Sequence, residues 1–319
     1  MTQNLRLAVV MDPIAGIKYE KDSTLAMLLA AQARGFELHY LEQQHLMVRD
    51  GQALGHSRPL TVRADPASWY TLGEPRTAPL GSFACILMRK DPPFDMEFIY
   101  TTYILELARE QGALVVNRPQ GLRDINEKMY TAWFPQCCAP TLITRSMADM
   151  DAFLGEQGKI VAKPLDGMGG RSIFVTDRQD KNSRVIFETL TAQGTRYAMV
   201  QRYLPQIVET GDSRVLLVDG EPVPFALARI PTAQDHRGNL AAGAQGVGRE
   251  LNDRDRWLAA QIGPVLAQRG MLFVGLDVIG GQVTEINVTS PTGIRELDKQ
   301  FHINIGDLLL QAIERRLRG

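Results

Sequence analysis

Lys163-Pro-Leu-Asp-Gly-Met-Gly-Gly-Arg-Ser172 follows directly on the apolar run Ile160-Val161-Ala162. A lysine therefore stands at the end of a short hydrophobic segment, with Gly167, Gly169 and Gly170 just beyond it. Glycines lack a Cβ and let backbone N–H groups close on a phosphate, and a lysine beside them adds a point charge. The lysine precedes the glycines, so the stretch is neither a P-loop nor a dinucleotide-binding Gly-x-Gly-x-x-Gly. On its own it fits two readings: a phosphate-cradling loop, or a glycine-rich hairpin between strands at 159–163 and 172–176.

Composition narrows the classes. A chain of 319 residues implies two domains, or three small ones, at about 150 residues each. Hydrophobic residues at 45% and charged residues at 22% are ordinary for a soluble globular protein. Lys plus Arg number 35 against 36 Asp plus Glu, which argues against a dedicated nucleic-acid surface. Cys85 sits in an apolar run, and Cys137 and Cys138 are adjacent, so neither a disulfide framework nor a zinc pattern is expected. That usage fits a reducing cytoplasm. No signal peptide or transmembrane helix is expected from the N-terminal residues or elsewhere. The histidines at 39, 45, 56, 236 and 302 are scattered and suggest no metal site.

The first third alternates. Strands are expected at 5–11, 36–41, 83–89 and 113–116, with helices at 22–34 and 94–111, an order that predicts a parallel sheet. The polar segment 43–79 reads as loops with a hairpin, and Asn117-Arg118-Pro119 breaks the pattern. Beyond it, helices are expected at 127–134, 146–156, 184–193, 253–269 and 304–318. Strands are expected at 139–144, 160–164, 172–176, 198–203, 213–218, 222–229, 273–279 and 282–288. Asp219-Gly220 is a type I′ hairpin signal, and Gly280-Gly281 turns a second hairpin. The last two thirds therefore read as α+β.

The second hairpin carries chemistry. Glu285 and Asn287 are two apart and share a face. Asp277 lies at matching distance from the turn on the partner strand, while Leu276, Val278, Ile286 and Val288 point the other way. Like charges so placed repel unless a cation separates them, and an all-oxygen set suits Mg²⁺. A solvated polar face is the bland alternative. Arg214 and Arg229 interrupt strands otherwise rich in Val, Leu, Ala and Phe, so each calls for a buried anion. The stretch 230–249, with Arg237 and several glycines, is either a passive connection or a lid that excludes water.

Taken in order, Lys128, Lys163 with its glycine loop, Gln201-Arg-Tyr-Leu-Pro205, Arg214 and Asp277…Glu285-Ile-Asn287 resemble an ATP-grasp fold. Further motifs resemble the bacterial glutathione synthetase family: Val10-Met-Asp-Pro-Ile14, Leu87-Met-Arg-Lys-Asp-Pro-Pro-Phe-Asp95, Arg237-Gly-Asn-Leu-Ala-Ala-Gly243 and Glu285-Ile-Asn-Val-Thr-Ser-Pro-Thr292. They span nearly the whole chain. The resemblance implies a Rossmann-like substrate domain over 1–122, a central ATP-grasp subdomain over 123–202 and a C-terminal subdomain over 203–319 with lid and metal site. It implies ligation of γ-glutamylcysteine to glycine with ATP through an acyl phosphate, in a cytoplasmic homo-oligomer, a tetramer, with no nucleic-acid or membrane partner. By the same resemblance Lys128, Lys163, Gly167, Gly169, Gly170, Gln201, Tyr203, Leu204 and Asp212 would hold ATP. Asp277, Glu285 and Asn287 would hold Mg²⁺, for which Mn²⁺ can substitute. Arg214, Arg229 and Arg237 would be catalytic, and Arg89, Arg229 and Arg295 would take substrate carboxylates. The alternatives are another ATP-grasp carboxylate–amine ligase, or an ATP-binding scaffold without turnover.

Overall fold

The computed structural model describes residues 5–167, 170–230 and 245–318. The chain opens with β1 (Arg6–Val10), α1 (Ser23–Ala33) and β2 (Glu37–Leu41). Asp22 caps α1 by accepting from the Leu25 N–H at 2.6 Å, and Gly35 ends it at φ +86°.

The segment 43–79 differs from expectation. It forms β3 (Leu46–Arg49), β4 (Gln52–Val62), β5 (Tyr70–Leu72) and β6 (Arg76–Pro79) rather than loops with a hairpin. β4 is the organiser, pairing antiparallel with β2, β3, β5 and β6. Its inward positions include Ala53, Gly55 and Ser57, small residues that carry little hydropathy signal. They are small because the sheet is crowded there: a Cβ on Gly55 would lie 2.6 Å from Leu41 Cδ2.

β7 (Cys85–Met88), α2 (Met96–Glu110), β8 (Leu114–Val116) and α3 (Pro119–Asp124) complete this region. The expected break at Asn117-Arg118-Pro119 instead leads into α3, with Pro119 in the first turn, where its missing N–H costs nothing. The sheet runs β3-β4-β2-β1-β7-β8, and β1, β2, β7 and β8 are parallel. The carboxyl ends of β1 and β7 therefore open side by side.

Next come β9 (Thr141–Thr144), α4 (Met147–Gln157), β10 (Lys159–Pro164), β11 (Phe174–Asp177), α5 (Ser183–Thr191) and β12 (Ala198–Arg202). They make an antiparallel sheet in the order β11-β10-β12-β9. Met150, Leu154, Phe187 and Leu190 of α4 and α5 bury one face of it against Ile160, Ala162 and Val200. The other face is left for the site. The helix expected at 127–134 is a 3-10 turn at Met129–Trp133.

The rest is α6 (Gln206–Thr210), β13 (Asp212–Val218), β14 (Glu221–Ile230), β15 (Gln245–Glu250), α7 (Asp253–Gln268), β16 (Phe273–Ile279), β17 (Gln282–Asn287), α8 (Ile294–Phe301) and α9 (Ile305–Arg318). Five strands pair antiparallel in the order β15-β14-β13-β16-β17. Asp219 and Gly220 both have positive φ, at 51° and 86°, as the type I′ turn requires. The end of the expected polar stretch 230–249 is edge strand β15, paired with β14. Arg237 and the body of the expected lid lie outside the described residues.

The C-terminal helices return to the start of the chain. Leu309 and Ile313 share a core with Leu7, Val9, Leu28 and Leu216. Arg34 of α1 reaches Asp307 at 2.6 Å and Glu314 at 2.7 Å on α9. Asn117, after β8, joins the first sheet to the third: its amide nitrogen donates to the Phe273 and Val288 carbonyls at 2.7 Å, and its oxygen accepts from Phe273 N–H at 3.0 Å. Among the described residues no helix is long and apolar enough to cross a membrane. All three cysteines are free thiols.

Candidate active site

The open face of the four-stranded sheet looks across a cavity of about 410 Å³ toward β13, β16 and β17. Lys163 enters it because β10 ends there. Antiparallel strands alternate their side chains, so Ile160 and Ala162 go to the α4–α5 core while Val161 and Lys163 face the cavity. Val161, Ile173, Val175, Ile207 and Ile279 give it apolar walls, the surroundings a flat aromatic base requires.

Of the residues assigned to ATP, Lys128, Lys163, Gly167, Gly170, Gln201, Tyr203, Leu204 and Asp212 all line this cavity. Gly169 lies outside the described residues. Gly167 has φ +102° and Gly170 φ +75°, a backbone that side chains other than glycine adopt only under strain. Lys163 is buried and donates to the Thr284 carbonyl at 3.2 Å; burial pulls its pKa down, and no carboxylate among the described residues touches it. Lys128 donates to the Gly167 carbonyl at 3.1 Å, is ion-paired with Glu127, and lies 3.5 Å from Glu285. Burial opposes its charge too, but Glu285 and Glu127 outweigh it and raise the pKa.

The hairpin β16–β17 pairs Asp277 with Glu285 and Gly275 with Asn287. This is the expected pairing, but it is reached through a β-bulge between Asp277 and Val278, since Ile279–Gln282 and Val278–Val283 next to the turn would otherwise set Asp277 opposite Thr284. Asp277, Glu285 and Asn287 are thereby gathered on one face, while Leu276, Val278, Ile286 and Val288 are buried. Asp277 is already engaged. Arg214 Nε reaches its Oδ1 at 2.6 Å and Nη2 its Oδ2 at 3.2 Å, and Arg229 Nη2 approaches Oδ2 at 2.9 Å. Burial alone would raise the Asp277 pKa, but the two guanidiniums hold it well below the usual carboxylate range. Arg229 also meets Asp212 Oδ2 at 2.5 Å. The other oxygen of Asp212 is buried with no partner among the described residues, and burial pushes this carboxyl up to about 6. An orphaned acceptor in the cavity wall suits a hydroxyl group of a ligand.

Sequence reasoning missed Glu127. The Ile286 N–H donates to the Glu127 carbonyl at 2.8 Å, which sets Glu127 against the hairpin and beside Glu285. Burial first, and then Glu285, raise its carboxyl to about 7. Its adjacency to Lys128 was visible in Asn126-Glu127-Lys128, but its place beside Glu285 depends on a contact between segments 159 residues apart (286 − 127).

Among the described residues no three of His, Cys, Asp and Glu gather into a metal cage. The donors that fit a hard divalent cation are the Glu285 carboxylate, the amide oxygen of Asn287 and Asp277, all oxygen. Around the hairpin Glu127, Asp212, Asp277 and Glu285 meet Lys128, Lys163, Arg214 and Arg229, while Lys159, Arg171 and Arg202 add positive charge to the cavity lining, which suits a polyphosphate.

The three arginines assigned to substrate carboxylates go to three places. Arg89 lines a second cavity, of about 510 Å³, at the carboxyl ends of β1 and β7. Arg229 is held inside the carboxylate cluster described above. Arg295 lies over the Tyr19 ring at 4.8 Å and lines a separate groove with Glu20 and Asp298, so it does not join Arg89.

Comparison with known proteins covers the whole chain. Residues 5–123 match the model of the prokaryotic glutathione synthetase N-terminal domain, and residues 127–302 match the prokaryotic glutathione synthetase ATP-grasp domain. Glutathione synthetase of Pseudomonas putida KT2440 is 58% identical over 316 residues, covering 99% of both chains. That of Escherichia coli K12 is 54% identical over 314 residues, covering 98% of this chain and 99% of its own. Among solved structures, D-cycloserine synthetase DcsG superposes with a TM-score of 0.67 at 16% identity, covering 98% of this chain and 99% of its own. At that identity the likeness speaks to the ATP-grasp fold alone.

Proposed function

The chain belongs to the prokaryotic glutathione synthetase family, an ATP-dependent ligase family, and we propose that the residues gathered here join γ-glutamylcysteine to glycine through an acyl phosphate. The observation that carries this reading is the cavity between the second and third sheets. It combines apolar walls, two buried lysines and glycine turns on one side with an all-oxygen, arginine-backed hairpin on the other.

In this reading Lys128 and Lys163 hold the phosphates of ATP, and the strand end at Gln201–Leu204 takes the adenine. The free oxygen of Asp212 accepts from a ribose hydroxyl. Glu285 and Asn287, with Asp277, would hold Mg²⁺ or Mn²⁺, which when bound would neutralise charge on the phosphates. The cysteinyl carboxylate attacks the γ-phosphorus, the bond to the bridging oxygen breaks, and ADP leaves. The neutral glycine amine then adds to the acyl carbon, and the C–O bond to phosphate breaks as the amine gives up a proton. Arg214 stabilises negative charge that develops at the acyl centre; Asp277 fixes its guanidinium in place, so little reorganisation is needed. Phosphoryl transfer depends on such positioning more than on covalent help from the protein.

The three sheets support dividing the chain into units at 1–122, 123–202 and 203–319. Three free thiols are consistent with a reducing cytoplasm. Assembly into a tetramer belongs to the same reading and would be measured by light scattering. The reaction is tested by mixing purified protein with ATP, Mg²⁺, γ-glutamylcysteine and glycine and measuring glutathione and ADP. ADP release with D-alanine but none with γ-glutamylcysteine would overturn it.

A further inference from the structure

Thr141 has no part in the mechanism above and is not among the residues that line the nucleotide cavity, yet it holds one that does. β9 is an edge strand of the four-stranded sheet, and its Thr141 stands directly opposite Gln201 of β12. Ala198 and Val200 of β12 pack into the α4–α5 core. Alternation along the strand sends Gln201 to the other face, where it lines the cavity with only 3% of its surface exposed. Gln201 Nε2 donates to Thr141 Oγ1 at 2.8 Å, and Thr141 Oγ1 donates in turn to the Ala139 carbonyl at 2.8 Å.

This short chain of hydrogen bonds has a fixed direction. A hydroxyl carries one proton, and a carbonyl can only accept. Thr141 gives its proton to Ala139, so toward Gln201 its oxygen can only accept. The arm of the Gln201 amide that faces Thr141 is therefore the NH₂, and the oxygen is the arm left to the cavity. Turning the amide round would draw the Thr141 proton away. The carbonyl of buried Ala139 would then have no donor among the described residues. Gln201 Oε1 accepts from no group among the described residues. On the far side of Gln201, β10 presents Val161, which also lines the cavity and has no polar hydrogen to offer. A ligand is left to supply the missing donor.

We infer that Thr141 sets the base selectivity of the nucleotide site: by holding the Gln201 amide with its oxygen inward, it favours a purine with a 6-amino group over one with a 6-oxo group. The inference rests on the reading above that the strand end at Gln201–Leu204 takes the adenine. A 6-amino group donates to Gln201 Oε1. A 6-oxo group sets oxygen against oxygen, and the amide cannot turn to meet it without breaking both bonds of the chain. Thr141 is a positioning residue, since it acts on the base only through Gln201.

The test uses the full-length enzyme with γ-glutamylcysteine and glycine and compares three nucleotides. These are ATP, purine riboside 5′-triphosphate, which lacks only the 6-amino group, and inosine triphosphate, which has oxygen there. Wild type should favour ATP over purine riboside triphosphate by about 10-fold in kcat/KM, the worth of one hydrogen bond, and over inosine triphosphate by more. In Thr141→Val no hydroxyl holds the amide, and its NH₂ can turn to the 6-oxo group. The ratio of ATP to inosine triphosphate should then fall by about 10-fold, through a rise in kcat/KM for inosine triphosphate. Thr141→Ser should keep the wild-type ratio. Thr141→Ala carries the same expectation as valine and replaces it if valine is not tolerated. A general loosening of the sheet would lower both nucleotides together and leave the ratio unmoved.

Equal kcat/KM for ATP and purine riboside triphosphate in wild type overturns the inference whether or not the variants fold, and the adenine placement with it. If wild type prefers ATP but the ratio to inosine triphosphate is unchanged in folded Thr141→Val or Thr141→Ala, the role of Thr141 alone is overturned. A serine variant that behaves as the valine variant overturns it too, since the hydroxyl would not be what counts. No glutathione from γ-glutamylcysteine and glycine with ATP is the separate failure of the ligase reading.

Discussion

Arg214 on β13 and Asp277 on β16 sit opposite each other in register and form a two-pronged pair, Nε to Oδ1 at 2.6 Å and Nη2 to Oδ2 at 3.2 Å, both buried. A Cβ on Gly275 would lie 2.7 Å from the Arg214 side chain, so the guanidinium is also confined from its flank. Asp277→Asn removes the charge that Arg214 and Arg229 both face. Breaking a buried pair from one side should lower unfolding free energy by about 3 kcal/mol. Urea unfolding of the variant checks this, and a midpoint equal to wild type would mean that solvent already screens the pair.

Glu285→Gln keeps the shape of the hairpin and removes one charged oxygen donor. Turnover should fall by about 100-fold or more with the melting temperature nearly unchanged, because metal-assisted phosphoryl transfer depends on that charge. Near-normal turnover at saturating Mg²⁺ would remove Glu285 from the metal site.

Lys163→Met separates function from stability. Among the described residues no carboxylate touches this buried lysine, so the desolvation of its ammonium is not offset by an ion pair. The variant should be as stable as wild type or more so, while ATP affinity falls by about 10- to 100-fold. Calorimetric titration with ATP and a thermal melt give the two numbers; parallel loss of both would show that Lys163 is mainly structural.

Gly263 in α7 touches the β13–β14 turn so closely that a Cβ would stand 2.0 Å from the Gly220 carbonyl oxygen. Gly263→Ala should destabilise by about 1–3 kcal/mol through forced displacement of the turn, despite alanine's better helix propensity. A stabilised variant would mean that helix and turn move apart freely.

Asp298 gives a pH signature away from the active site. Burial pushes its carboxyl up to about 6, with the Ile305 N–H and Arg295 pulling the other way. The folded chain thus holds this proton more tightly than the unfolded chain, whose carboxyl titrates near ~3.9. The contribution is full below about pH 4 and is lost as pH rises to about 6. Because the group is partly open to water, screening holds the effect to about 1 kcal/mol. Asp298→Asn should flatten the stability curve between those pH values in denaturant titrations, and a slope identical to wild type would refute the assignment.

Much of this architecture was legible in residue order. The alternation at 5–116 marks the parallel strands and Asp219-Gly220 and Gly280-Gly281 mark both hairpins, while the Asp277–Glu285 pairing depends besides on a β-bulge next to Asp277 that the turn does not encode. These signals are local, carried by turn chemistry and by period-2 or period-3.6 patterns. The first half of β4 carries little signal because its inward residues Ala53, Gly55 and Ser57 are small, and β15 little because glycines replace the apolar residues that would mark it; Gly248 is glycine because the Phe301 ring lies 2.3 Å from where a Cβ would be. The resemblance sets Arg295 with Arg89 toward substrate carboxylates, but the helix phase of α8 turns it to the other side from Glu296.

By itself, then, the sequence determined most of the strands outside 43–79 and 245–250, the place of the glycine-rich loop after Lys163, and which family the chain resembles, since each is a property of neighbours along the chain. Only the tertiary structure decided which charges meet. Glu127 reaches Glu285 through a backbone hydrogen bond between remote segments, and Asn117 fastens the first sheet to the strands that carry the acidic hairpin. Glu296 alone among the acids around Arg89 keeps a buried oxygen without a partner. Electrostatic energy depends on distance and burial, and neither is fixed by separation along the chain.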